Sequence, residues 1–291
     1  MDRSGPPTEQ RGDVLSFTAD SPLRRPRTFL RTGVQRLRAS VRIGRRLFVR
    51  DLRAQYRQSL LGYLWIFIPA GAQALLWIFL SSANIVNTGD TGIPYVAFVV
   101  TGVLLWQGFF EALLVPSNSL REAAAVLTRI RFPAEAVLLS AFGIVVVSAA
   151  VRLLVLVPVY VAYGVEPGAA VVLAPVGVLV LLVAGFATGL VLAPFGVLYH
   201  DVPRGLVVGA QFLFLATPIA YAEPTNGFAE SVLRWNPLAP LITTTRSWLT
   251  GGPVEPSTSF LVVTAATAVL LLFAWTLLRV AIPHLVDRAD T

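Results

Sequence analysis

The sequence predicts an all-α integral membrane protein with six transmembrane helices, an N-terminal amphipathic interfacial helix, and short half-spanning or interfacial helices before the last span. Three observations carry this. Hydrophobic residues make up 55% of the 291 residues and charged residues only 13%, whereas a soluble domain carries about 25% charge. Several apolar runs exceed the ~18 residues that mark a membrane-crossing helix. Arginine, finally, is distributed very unevenly between the connections.

In chain order, residues 1–28 form a disordered cytosolic tail, rich in Pro, Arg, Ser and Asp and without an apolar period. No apolar core lies close behind Met1, so no cleavable signal peptide is expected. Residues 29–57 are an amphipathic interface helix. Leu30, Val34, Leu37, Val41, Phe48, Leu52 and Tyr56 recur at three- and four-residue steps, with a wider gap around Arg45. Arg46, Arg50, Arg53 and Arg57 belong to the basic surface between them, which suits an anionic membrane face. A soluble helix packed on a partner is the competing reading.

The membrane domain occupies 58–291. Its spans fall near 60–83, 95–117, 136–162, 169–198, 205–222 and 258–282. Fourteen arginines precede the first span, three separate the second from the third, one separates the fourth from the fifth, and two lie at or beyond the end of the sixth. Only Arg234 and Arg246 fall on the other side. The positive-inside rule therefore places both termini in the cytosol. Residues 223–257 then lie outside; SVLRWNPLAPLITTTRSWL is apolar, carries two tryptophans and two prolines, and is too short to cross. Half-spanning or interfacial helices fit it better than a simple surface loop, because broken backbone at membrane depth is tolerated only against protein or water.

Absences exclude whole classes of chemistry. There is no cysteine, and all 23 basic residues are arginine. A P-loop needs its lysine, so any ATP that drives this chain is bound by another subunit. Lysine Schiff-base chemistry is excluded with it. His200 and His284 stand at span ends without clustered carboxylates, so no metal site is expected, and Asp201 reads as a helix cap. No D-x-D or D-x-x-D pattern lies in the spans or their cytosolic connections, which speaks against a metal-dependent transferase. No catalytic residue is assigned.

Two charges lie within spans. Glu111 is nearer the cytosol and Arg152 nearer the outer end, a difference of depth that argues against a direct pair. At ~2.5–3.5 kcal/mol or more for a charge in a span, each should face protein or water. Arg152 either meets an anionic substrate group or snorkels outward. The spans are otherwise nearly uncharged, which argues against coupling to protons or sodium. Candidate passage or gate residues are Trp106, Phe109, Phe110, Arg152, Phe212, Tyr221, Trp235, Asn236 and Trp248; interfacial belts explain most of the aromatics equally well.

Several blocks together resemble the type-2 ABC exporter permeases for cell-surface polysaccharides, which export O-antigens, teichoic acids and galactan. They are RDLRAQYRQSLLGYLWIFIPA (50–70), YVAFVVTGVLLWQGFFEALLVPSNSL (95–120), LTRIRFPAEAVLLS (127–140), VLYHDVPRGL (197–206) and WNPLAPLI (235–242). TPIAYAEP (217–224) departs from the family, which more often has Pro after the tyrosine; here Ala222 follows Tyr221. The resemblance implies a homodimer with two copies of an ATPase subunit that carries ATP and Mg, this chain holding no cofactor. It implies a cytosolic coupling helix at 119–135, with Arg121, Glu122, Arg129, Arg131, Phe132 and Pro133 at the ATPase contact, and an outer gate at 223–257 made of two short re-entrant helices before the last span. Its cargo would be a lipid-linked (polyprenyl-diphosphate) polysaccharide, crossing the bacterial cytoplasmic membrane. An Ala/Val-rich chain whose only base is arginine fits a GC-rich genome, and galactan follows as the favoured polymer. Membrane lipids are the remaining partner; nucleic acid is not. The alternatives are an ABC permease for a drug or lipid, a membrane-embedded transferase, and an ion-coupled carrier.

Overall fold

The computed structural model describes residues 26–54, 62–86, 88–129, 133–199, 201–223 and 227–289, all helix, turn and loop, with no strand among them. Ten α-helices follow in order: α1 (Pro26–Ala54), α2 (Ile68–Ser82), α3 (Tyr95–Arg129), α4 (Ala134–Leu153), α5 (Leu156–Tyr163), α6 (Ala174–Leu198), α7 (Asp201–Leu215), α8 (Gly227–Trp235), α9 (Leu238–Leu249) and α10 (Thr258–Ala289). 3₁₀ turns at Gly62–Ile66 and Ala169–Leu173 precede α2 and α6.

Among the described residues, four stretches are long and apolar enough to cross a membrane: Tyr95–Ala123, Ala134–Tyr163, Ala169–Leu198 and Thr258–Ala281. They match the second, third, fourth and sixth expected spans, and they establish a multi-pass membrane protein. The first and fifth runs are shorter helices. α2 and α7 each have 15 residues, about 22 Å at 1.5 Å per residue, short of the ~30 Å hydrocarbon core.

α3 lies at the centre and packs most extensively on α6. Small residues make this possible. A Cβ on Gly185 would stand 2.5 Å from the Phe109 carbonyl oxygen, and one on Gly189 2.1 Å from that of Leu113, so the two backbones touch as small-residue seams allow in membranes. Ala187, Leu190 and Ala193 continue the buried face of α6. α4 closes the other flank of α3, and α10 packs on α6. α5 ends at Gly164, whose φ of 65° is the left-handed helix stop that glycine takes without strain.

α1 does not stand alone; it packs along α4. From Ser40 onward its inward face carries Ser40, Gly44, Phe48 and Asp51. Ser40 is fully buried, a Cβ on Gly44 would stand 3.0 Å from the Ala136 carbonyl, and Ser140 donates to Asp51 Oδ2 at 3.1 Å. The gap in the apolar period around Arg45 is thus a close-approach face. Val41, expected on the apolar side, is 52% exposed instead.

Candidate functional site

The fifth apolar run is broken by its own sequence. Pro218 has no N–H to donate and disfavours helix at the residue before it, so α7 stops at Leu215 and residues 216–222 follow in bends. That segment is buried: Thr217, Ile219 and Ala220 are at most 1% exposed. Its carbonyls therefore need donors, and these come from distant elements. Asn236 Nδ2, at the junction of α8 and α9, donates to the Ala216 carbonyl at 2.9 Å and to Thr217 Oγ1 at 2.8 Å. Arg246 Nη1 of α9 donates to the Ile219 carbonyl at 3.2 Å, and Tyr95 Oη of α3 to the Ala220 carbonyl at 3.0 Å. Tyr221 Oη turns back to the Leu215 carbonyl at 2.8 Å.

Arg246 is 6% exposed and lies with its guanidinium carbon 3.7 Å from the centre of the Phe98 ring. Two conditions bring it there. Gly102 lacks the Cβ that would fall 2.4 Å from the Ile219 carbonyl oxygen, and Gly177 lets Thr245 of α9 seat against α6. Beside it Thr101 and Tyr160 share a hydroxyl hydrogen bond of 2.8 Å. The result is a polar clasp joining the break after α7 to α9 and α3.

A second polar group lies on the other side of α3. Arg152 forms an ion pair with Glu111 and donates through Nε to the Ile66 carbonyl at 3.3 Å. Their side chains are 11% and 26% exposed. This corrects the argument from depth: α4 ends just past Arg152, and its long side chain reaches back to α3. Gln107 Nε2, one turn from Glu111, donates to Gln73 of α2 at 2.9 Å. Above them the rings of Trp77, Trp106, Phe110 and Phe214 join α2, α3 and α7, with centroid separations of 5.4–6.3 Å. A further pair, Glu135 with Arg279 at 3.6 Å, ties α4 to α10.

The remaining expected residues are distributed as follows. Trp106 and Phe109 are buried in the core at 4% and 3% exposure, as is Trp248, edge-on to Phe260. Phe212 and Trp235 stand out at 70% and 90% exposed. Arg46, Arg50 and Arg53 face outward from α1, while Tyr56 and Arg57 lie outside the described residues. Most of the expected coupling segment continues α3 to Arg129 as unbroken helix, with Arg121 half-buried and Glu122 exposed. Arg131 and Phe132 lie outside the described residues, as does the side chain of Arg129; Pro133 caps α4. Sequence reasoning missed Arg246, Tyr95 and Arg279 as partners. The signal for Arg246 was there: an arginine outside, against the charge bias, in a segment too apolar for a surface loop. No group of three or more His, Cys, Asp or Glu is placed to hold a metal among the described residues.

No family model matches the chain. It is 28% identical over 231 residues to the O-antigen export system permease protein RfbA of Myxococcus xanthus, covering 78% of this chain and 87% of that protein. A protein of the same name from Klebsiella pneumoniae is 25% identical over 213 residues, covering 71% and 79%. A second from Klebsiella pneumoniae is 25% identical over 210 residues, covering 70% and 78%. These matches support a type-2 ABC exporter permease.

Proposed function

We propose that this chain is the membrane subunit of an ATP-driven O-antigen-type exporter. The observation that carries the reading is its similarity to three O-antigen export permeases over 70–78% of its length, in a chain whose described helices include four able to span. Two copies form the passage and two copies of a separate ATPase, holding ATP and Mg, drive it. The cargo is a polysaccharide on a polyprenyl diphosphate, with galactan the favoured polymer. The protein sits in the bacterial cytoplasmic membrane with both termini inside. α2 with its preceding 3₁₀ turn, and α7 with the bends after it, supply the first and fifth crossings, giving six. α8 and α9 are the re-entrant pair at the outer mouth, and the arginines of α1 face anionic headgroups.

Closure of the ATPases pushes on 119–135 and on α1, and the spans move as rigid bodies. The test is a strain lacking the gene, complemented with wild type or with Arg129→Glu/Arg131→Glu. Wild type should restore surface polysaccharide and copurify with a P-loop ATPase. The double variant should insert normally yet export poorly; unchanged export would remove the coupling role. A deletion strain with normal surface polysaccharide would remove the reading itself.

A further inference from the structure

α3 is the most enclosed of the four long spans, and the exposure it retains falls in one sector. Between Thr101 and Leu120 the incompletely buried positions are Gln107, Phe110, Glu111, Leu114, Val115, Asn118 and Ser119. Steps of three and four residues place them along a single stripe. At 1.5 Å per residue, Gln107 and Glu111 lie about 18 and 24 Å along the helix from Tyr95, and Asn118 about 35 Å. The stripe thus runs from mid-membrane to the end of the span, and Gln107, Glu111, Asn118 and Ser119 make it partly polar. Elsewhere the exposed faces are apolar: Leu75, Leu76 and Phe79 on α2, and Val262, Val269 and Leu272 on α10. Those faces suit lipid. A stripe carrying two amides and a carboxylate does not, because polar groups at depth turn to protein or to water: Gln107 and Glu111 reach Gln73 and Arg152 yet stay partly exposed, and Asn118 is exposed.

Resting on the permease reading, we propose that this stripe of α3 is a wall of the water-filled transport path and that it receives the hydroxyl groups of an uncharged polysaccharide. The chemistry fits that class. Amides offer donors and acceptors together, and the carboxylate offers acceptors. Arg152 neutralises Glu111, so the wall presents hydrogen-bonding groups without net charge and has no preference for an ion. Phe110, stacked beside Trp106 with centroids 6.3 Å apart and partly exposed, adds apolar surface for the apolar side of a sugar. Asn118, exposed at the end of the stripe, is the first group met from the side where α3 continues toward Arg129. Trp106 and Phe109, being buried, are support for this wall and not its surface.

The absence of native cysteine makes the test clean. Leu114→Cys and Asn118→Cys, with Leu75→Cys and Leu272→Cys as lipid-facing controls, are made one at a time in the full chain and expressed in the complemented deletion strain. Membranes are treated with a charged methanethiosulfonate, which attacks the thiolate that only water permits; labelling at 114 and 118 should be about tenfold or more faster than at the controls. Modification at 114 or 118 should also reduce surface polysaccharide, while the controls keep theirs. Labelling as slow as at Leu272→Cys overturns the proposal, as does spontaneous disulfide formation between copies at 118, which would make the stripe an interface. Fast labelling without any effect on export overturns the role of the wall in cargo passage. Failure of the permease reading shows separately, as normal surface polysaccharide in the deletion strain.

Discussion

Arg246 Nη1 donates to the Ile219 carbonyl at 3.2 Å while its guanidinium lies 3.7 Å from the centre of the Phe98 ring. One side chain from α9 thereby completes a break in the fifth apolar run and packs on the central helix. Arg246→Met keeps the length and removes both. A buried carbonyl left without its donor costs ~1–3 kcal/mol, and the lost ring contact adds about 1 kcal/mol. The variant should lose thermal stability in detergent, read as an earlier loss of the monodisperse peak on heating. Arg246→Lys, which keeps charge without the planar fork, should fall between. Equal stability of all three proteins would show that the clasp contributes nothing.

Glu111 and Arg152 make the sharper energetic case. Removing one partner of a buried pair leaves an uncompensated charge, at about 3–5 kcal/mol; replacing both by apolar residues is often near neutral. Glu111 keeps 26% of its side chain exposed, which puts the single losses at the lower end. Glu111→Leu and Arg152→Met should each lower folded yield, and the double variant should recover most of it. A double-mutant cycle on thermal midpoints measures the coupling; additive losses would mean that the pair is incidental.

Legibility followed from which signals are local. Four spans were legible, because composition and period act along the chain, and helix lies within 29–57 and 223–257 as expected. The break after α7 was written in Pro218, yet its neighbourhood reads as one apolar run, and the polarity that makes it tolerable comes from Asn236, Arg246 and Tyr95. Partnerships of that kind depend on packing. The Glu111–Arg152 pair failed for a related reason: depth counted along two helices ignores the reach of an arginine side chain. The aromatics at 106 and 109 carry the same residue types whether they line a passage or fill a core, and only the packing of α3 on α6 and α7 separates the two.

The α3–α6 seam predicts a steep contrast among glycines. At Gly189 a Cβ would lie 2.1 Å from the Leu113 carbonyl oxygen, backbone that cannot swing away, whereas at Gly209 nothing lies within 4 Å. Gly189→Ala should force α3 and α6 apart and abolish monodisperse protein. Gly209→Ala on α7 should be tolerated, with a small gain in helix propensity of under about 1 kcal/mol. Gel-filtration yield from matched cultures reads both; a tolerated Gly189→Ala would contradict the backbone contact.

α1 gives the last prediction, because packing on α4 and lying free on the bilayer differ in one measurable distance. A Cβ on Gly143 would stand 3.0 Å from Cδ2 of Phe48, so the two positions face one another directly. Phe48→Cys with Gly143→Cys, in a chain that has no other cysteine, should crosslink through a short, reducible bis-methanethiosulfonate, since the Cβ at 143 lies against the Phe48 ring, 3.0–3.6 Å from Cδ2, Cε2 and Cγ. The pair Arg46→Cys with Gly143→Cys should not, because Arg46 points outward. Electrophoretic mobility before and after reduction distinguishes them. Crosslinking at 48 but not at 46 fixes the rotation of α1 and leaves Arg42, Arg45, Arg46 and Arg53 exposed to headgroups, worth about 1 kcal/mol per basic residue at an anionic surface, while Arg50 pairs with Asp51. Absence of crosslinking at 48 would detach α1 from the membrane domain and return its glycine-centred face to some other neighbour.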